Sequence, residues 1–447
     1  MKSVCTSSLF AILAVLLLAL SSAARADVVP GETINRTNAS KVSNLLSPGN
    51  YLLVEHGMEL NIVPTAKVEW PPPYKSATEK YSAQVKLGSD GRLLNYVAGL
   101  PFPLIDVNDP EVALKIMWNY SFRPLYSDDL DLREPQVASY TPQSHGSPLS
   151  SYTVGRMAFY SEVGRLMVPP VPSDPDAAMT GIRYRFGLFP FLEPSTMRGY
   201  GMVRYDYLSP SIEDNVWVYV PTTRRVVRQP TEVLSDASGP LLGYQGGAVG
   251  GRSGGFGISG TAPYVSTIDP DSYFGFSGKI LNFNYRFLGE RTMLAVVNAK
   301  NSPERPCPFD GGKSVCPENW ELRHLYIIEA TEKPGRDFSI PRRVFYIDSE
   351  GWFITASDQY DRSGNLWKTI ATFNTYRDRP VPDARIAIYP YKRLFQLAMV
   401  DYDVQSGASS VMYMPGRDSA ERECWYIDMG LVDKSFFTPL TLRNAGH

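Results

Sequence analysis

Between residues 342 and 376 three runs of aromatic and β-branched residues follow one another closely: 342–348 (RRVFYID), 351–360 (GWFITASDQY) and 365–376 (NLWKTIATFNTY). The separators Asp348-Ser349-Glu350-Gly351 and Asp361-Arg362-Ser363-Gly364 each open on Asp and close on Gly. That is type I turn chemistry: the carboxylate bonds to amides of the turn, and glycine suits the exit. Runs joined this way predict an antiparallel meander, and a meander must bury one face against something.

The same residue types predict strands upstream, at 182–186, 199–207, 215–220 (NVWVYV), 279–287 (KILNFNYRF), 292–297 and 324–331 (HLYIIEAT). Helical spacing is sparse. It predicts helices over 33–46, with Asn35 or Thr37 as cap, and over 109–121, where Asp109 suits the cap and Pro110 the first turn. The 27 Tyr and 20 Phe suit broad sheet faces. The expected fold class is therefore mainly β with few helices. Its sheet has three ways to be covered: by a second sheet, by closure into a barrel, or by helices across a curved open sheet. A membrane barrel does not fit, because its strands alternate cleanly over about ten residues. Charged pairs such as Arg224-Arg225 and Arg342-Arg343 interrupt that pattern here.

The first residues predict export. Lys2 precedes an apolar run at 9–20, and Ala24-Arg25-Ala26 supplies a small-x-small cleavage signal. The run is shorter than the ~20 apolar residues that cross a bilayer. Residues 1–26 thus read as a signal peptide, and the mature product as soluble and extracytoplasmic. Cys5 lies before the apolar run, which leaves no cysteine at the mature N-terminus to carry lipid. The chain has 44 basic and 46 acidic residues and a net charge of −2. Loss of Lys2 and Arg25 makes it more negative, which argues against nucleic acid as a partner. No clear linker divides 27–447, which reads as a single domain. The Gly- and Ser-rich segment 235–263 reads as a flexible surface loop within it.

Cys307 and Cys316 flank a short loop, CPFDGGKSVC. In an oxidising compartment this spacing favours a local disulfide, worth about 2–3 kcal/mol. Zinc would need further ligands, and only His324 offers itself. Cys424 reads as a buried free thiol. Gly251-Arg252-Ser253-Gly254-Gly255 matches G-x-S-x-G, but the strand before it and the helix after it are missing from the pattern. Of the four histidines His56, His145, His324 and His447, none is placed by the pattern as its base. Gly312-Lys313-Ser314 resembles the end of a P-loop, yet the required glycine is Cys307. Asp358, Asp361 and Asn365 fall short of a calcium loop and suit a turn instead. Glu329 and Asp358 are candidate paired carboxylates, with solvated sheet-face residues as the plainer reading. Arg224, Arg225 and Arg228 offer an anion contact and equally suit the solvent face at a strand end. No coherent catalytic constellation emerges, and nothing calls for a cofactor or a metal.

Several segments together resemble a proteobacterial periplasmic family of unassigned function, often labelled outer-membrane lipoprotein-sorting proteins. They are Asn95-Tyr96-Val97-Ala98-Gly99-Leu100-Pro101-Phe102-Pro103 with Met117-Trp118-Asn119, the block 216–221 running into 224–228, and DSYFGFS at 271–277 with Tyr285 and Gly289. Trp320-Glu321-Leu322, Val344-Phe345-Tyr346, Asp358-Gln359-Tyr360-Asp361, Leu366-Trp367, Phe437-Thr438-Pro439 and Leu442-Arg443 continue the series in order. The resemblance begins at about Asn95, and the glycine-rich segment departs from it. It implies a fold like LolA and LolB: a curved antiparallel sheet, an incomplete barrel, with helices across the concave side. It also implies a carrier that hides a hydrophobic ligand, a lipid or a lipoprotein acyl chain, since each exposed CH2 costs about 0.8 kcal/mol in water. The implied wall residues are Trp217, Tyr219, Phe274, Phe276, Tyr285, Phe345, Tyr346, Trp352 and Trp367, about half of them facing inward by alternation. Related genes often stand beside those of resistance-nodulation-division (RND) exporters and a porin-like outer-membrane family, which implies such partners. The alternatives are an adaptor between those partners with no ligand of its own, or an extracytoplasmic hydrolase.

Overall fold

The meander forms where the turn chemistry puts it. Strands Arg342–Asp348, Ile354–Tyr360 and Leu366–Arg377 pair antiparallel in sequence order. Asp348 Oδ1 accepts from the amides of Glu350 (3.0 Å) and Gly351 (2.6 Å). Asp361 Oδ1 accepts from those of Ser363 and Asn365, both at 2.9 Å. The first turn runs longer than its sequence predicts. Trp352 adopts φ +57° and its amide bonds to Asp348 O at 2.9 Å, so the second strand starts at Ile354.

The computed structural model describes residues 28–446 apart from 125–126, 210, 230–267, 269–271, 301–306, 308–309, 317, 337, 381–384, 388 and 415–423. The predicted signal peptide 1–26, the loop 235–263 and the G-x-S-x-G match lie outside the described residues. Among those described, the strands are shared between two open sheets. The larger runs, in spatial order, Thr33–Ile34, Leu60–Ile62, Glu318–Glu332, the meander, Arg393–Asp403, Ser409–Tyr413, Gln136–Tyr140, Ser150–Val154 and Phe191–Glu193. Phe283–Ala295 also pairs with Glu318–Glu332. The smaller runs Arg225–Gln229, Asn215–Val220, Gly201–Tyr207, Ile182–Leu188, Arg156–Ser161, Asp129–Arg133, Trp425–Ile427 and Arg385–Ile386. Pairing is antiparallel except where Leu60–Ile62 meets Glu318–Glu332 and Arg385–Ile386 meets Trp425–Ile427. The chain is thus mainly β, built on large open antiparallel sheets. Side chains of both sheets share one apolar core, where Phe373, Phe395 and Val411 belong with Leu130, Met157 and Met202.

Helices flank the sheets. Val112–Ser121 packs Ile116 and Met117 into a cluster with Phe283 and Phe345. It starts three residues later than Asp109 because that carboxylate bonds the Glu111 amide at 2.8 Å in a preceding turn. Pro439–Ala445, capped by Thr438 Oγ1 accepting from the Thr441 amide at 3.1 Å, covers one face of the smaller sheet. Pro48–Glu55 and Pro72–Tyr81 were not legible by periodicity, although each opens with Pro in its first turn.

The helix predicted over 33–46 is not there. Thr33–Ile34 is a strand on Leu60–Ile62, and Ala39–Val42 is a short 3-10 turn. Local side chains compete with helical bonding: Asn38 Oδ1 takes the Asn35 amide at 2.8 Å, and Asn35 Oδ1 takes the Thr37 amide at 2.9 Å. The strands predicted at 279–287 and 292–297 are one strand, Phe283–Ala295, continued through a bulge at Gly289 with φ +121°. Cys307 and Cys316 are disulfide-bonded, and Cys424 is buried outside that disulfide. Among the described residues no helix is long and apolar enough to cross a membrane.

Candidate ligand-binding site

Successive residues of a strand point to opposite faces, and register lines one face of the smaller sheet into rows. Leu130, Phe159, Phe186, Arg204 and Val216 stand opposite one another across five neighbouring strands. Leu132, Met157, Leu188, Met202 and Val218 form the row beside it, and Ser161, Tyr184 and Asp206 a third. The other face carries Ala158, Tyr160, Val203, Tyr205, Trp217 and Tyr219 beneath Phe437 and Leu442.

Over the first face lies a cavity of about 170 Å³. Its floor is the apolar part of the first two rows, Leu130, Met157, Phe159, Phe186, Leu188, Met202 and Val216, with Arg204 among them. Its roof is Tyr120 to Arg123, at the C-terminal end of Val112–Ser121, with Tyr74, Tyr96, Tyr273, Phe274 and Phe276. Val163, Leu166 and Met167, all half-buried, close one side. A register shift between Asp206 and Tyr207 leaves Arg183 as an extra residue in its strand. Such a bulge re-aims a side chain, so Arg183 and its neighbour Tyr184 both reach the cavity.

Several polar groups in this lining are held in place. Arg183 Nε donates to Asp206 Oδ1 at 2.7 Å and its Nη1 to Ser121 Oγ. Arg204 Nη2 donates to Asp214 Oδ2 at 2.7 Å, and Lys279 Nζ lies 3.4 Å from the other oxygen. Burial works to raise Asp214, but Arg204 and Lys279 outweigh it and hold the carboxyl below its ordinary value. Tyr184 is pushed up to about 12, by burial first and then by the charge of Asp206. Asp128 accepts from the amides of Leu166 (2.9 Å), Met167 (2.6 Å) and Val168 (3.1 Å), yet burial still raises it. Arg123 lies over the rings of Tyr120 (4.4 Å) and Phe274 (5.9 Å).

Of the wall residues predicted from the sequence, Phe274 and Phe276 line this cavity. Trp217 and Tyr219 lie on the other face of their sheet, with Trp217 4.6 Å from the Tyr205 ring. Phe345, Tyr285 and Trp352 belong to the cluster around Val112–Ser121. Tyr346 faces Asp358 on the far side of the larger sheet, its Oη 3.5 Å from Oδ2. Trp367 Nε1 donates to Asp403 Oδ2 at 3.2 Å. Arg224, Arg225 and Arg228 sit, exposed, on the hairpin that ends the smaller sheet, and Arg228 bonds the Asn215 side chain. Sequence reasoning missed Met157, Phe159, Phe186 and Met202. The i, i+2 spacing of Met157 and Phe159 in RMAFYS, and of Tyr184, Phe186 and Leu188, was the available signal.

The candidate carboxylates do not share an open site. Val344 stands between Glu329 and Asp358 in one cross-strand row, and Asp358 is fully buried. Burial works to raise Glu329, but hydrogen bonds from Arg342 and Arg286 outweigh it and hold it below its ordinary value. In the loop resembling a P-loop, Asp310 itself takes the amides of Gly312 and Lys313, both at 2.8 Å. Those donors are therefore already used.

The chain is 22% identical over 426 residues to an uncharacterised protein of Pseudomonas aeruginosa, an overlap covering 93% of this chain and 81% of that one. Among solved structures it is similar to a domain assigned as an outer membrane lipoprotein-sorting protein from Vibrio parahaemolyticus. There the TM-score is 0.46 and the identity 14%, over 75% of this chain and 100% of that one. A DUF1329 family protein from Desulfovibrio piger gives a TM-score of 0.41 and 14% identity, over 71% of this chain and 92% of that one. A LolA superfamily protein from Nitrosomonas europaea gives 0.38 and 11%, over 73% and 97%. The family model described as "Protein of unknown function (DUF1329)" matches residues 33–246 and 265–443, and the gap between its blocks falls in the glycine-rich segment. With the model matched over most of its length, the chain belongs to the DUF1329 family.

Proposed function

We propose that this protein is a periplasmic carrier that shelters a lipid-like molecule between the smaller sheet and the end of helix Val112–Ser121. The observation that carries this reading is the cavity itself. Seven apolar side chains from two aligned rows floor about 170 Å³ of space. Protein interiors leave few voids larger than a water, and an apolar cavity of about 150 Å³ takes a benzene-sized guest. The space therefore suits a segment of an acyl chain. Each methylene removed from water contributes about 0.8 kcal/mol, enough to hold a chain without covalent chemistry. The leader-like N-terminus agrees with work in the periplasm.

Native mass spectrometry of the full chain, expressed with its own leader and isolated from the envelope fraction, tests the reading. Co-purified lipid is expected. Val216→Trp, which puts an indole ring in place of an isopropyl group in the floor, should lose that lipid while keeping the wild-type circular dichroism spectrum. Wild-type protein that is empty, or cytoplasmic, would sink the proposal. An empty protein held by an exporter would favour the adaptor reading instead.

A further inference from the structure

We infer that the guest carries an acidic head group, received by Arg123 where helix Val112–Ser121 ends. This rests on the carrier reading and names the chemical class of its cargo.

The other arginines around the cavity are neutralised within the protein. Arg183 has Asp206, Arg204 has Asp214, and Arg165 has Asp129 at 2.8 Å. Arg123 differs. Among the described residues no carboxylate lies within ion-pair distance of it, and its recorded hydrogen bond is one N–H, Nη1, donating to Tyr120 O at 2.9 Å. Its guanidinium lies 4.4 Å from the centre of the Tyr120 ring and 5.9 Å from that of Phe274, so it is oriented before any guest arrives. A stacked guanidinium presents its remaining donors as a planar fork, the shape that pairs with a carboxylate or phosphate.

Ser127 is a second, independent pointer to a polar guest atom. It lines the same cavity, is 6% exposed, and its Oγ has no hydrogen-bond partner among the described residues. A buried hydroxyl left unpaired is costly, and a head-group oxygen would satisfy it. Three phenols of the roof are already engaged within the protein. Tyr74 donates to Phe122 O at 2.5 Å, Tyr96 to Gly99 O at 2.9 Å, and Tyr120 to Phe274 O at 3.2 Å. Among the described residues the one acidic side chain in the lining, Asp128, is turned to the amides of Leu166, Met167 and Val168. An acidic amphiphile thus finds its apolar floor and its cationic roof in one space.

The test is calorimetric titration of the full mature chain at pH 7.5 with three probes of equal chain length: a fatty acid, its methyl ester, and a monoacyl phosphate. The acid or the phosphate should bind about tenfold or more tightly than the ester. Whichever of the two is preferred identifies the head group. Arg123→Gln should remove that preference, bringing the acid and the phosphate down to the affinity of the ester, with an unchanged circular dichroism spectrum reporting an intact fold. Arg123→Lys should keep part of it. Equal binding of all three probes to the wild type would overturn the head-group assignment alone, as would an equal loss for acid and ester in Arg123→Gln. Binding of none would overturn the carrier reading with it.

Discussion

Asp358 is fully buried at the N-terminus of helix Pro48–Glu55. Its carboxylate accepts from Thr369 Oγ1 (2.9 Å), Ser47 Oγ (3.2 Å) and the Gly49 amide (3.3 Å). Gly49 is required there, because a Cβ would lie 2.1 Å from Thr369 Oγ1. Burial pushes Asp358 up to about 6, against the lowering by those bonds. The unfolded chain restores the ordinary 3.8, so the native state holds the proton more tightly. Stability from this group is therefore greatest below pH 4 and is lost as pH rises towards 6. Asp358→Asn removes that titration. Between pH 4 and pH 7 the variant should gain about 3 kcal/mol relative to wild type in urea unfolding. A difference that is flat, or of opposite slope, would refute the assignment. From sequence alone Asp358 read as a turn or sheet-face carboxylate, because Ser47 and Gly49 lie some three hundred positions away.

At the scale of elements, legibility followed the range of the interactions. Turns at Asp348 and Asp361 are set by side chains bonding amides a few residues on, and both were readable. The helix expected over 33–46 failed because Asn35 and Asn38 bond the backbone locally in another way. The C-terminal helix Pro439–Ala445 was not read, although its cap and Pro were present in the sequence. Its cap is testable. Thr438→Ala removes the acceptor for the Thr441 amide and should cost about 1 kcal/mol, seen as a lower urea midpoint with unchanged m-value. Because the helix lies over Tyr219 and Val203, and not over the cavity, ligand affinity should stay at the wild-type level. A loss of affinity would place the helix in the binding machinery.

At the scale of the whole molecule, two open sheets share a core while one face of the smaller sheet also fronts a cavity. A guest there touches the sheet and the helix end together and is absent from the unfolded chain. Binding must then raise stability by linkage, about 2.7 kcal/mol at a free concentration one hundred times Kd. Thermal unfolding should shift upward with acyl ligand and keep rising with its concentration, whereas Val216→Trp should show no shift. An unmoved wild-type transition at saturating ligand would count against the cavity as the site.

Alternation and turn residues are relations between near neighbours, and by themselves they determined the strand-rich class and the meander, while the family resemblance rested on residue blocks such as 95–103 and 271–277. Which face of a strand meets the cavity is a different kind of fact. It depends on register between strands far apart in sequence, and on the one-residue bulge that turns Arg183 beside Tyr184. A one-residue shift exchanges the two faces of a strand. Trp217 was therefore legible as a sheet aromatic, while only the tertiary structure decided that Val216 looks into the cavity and Trp217 away from it.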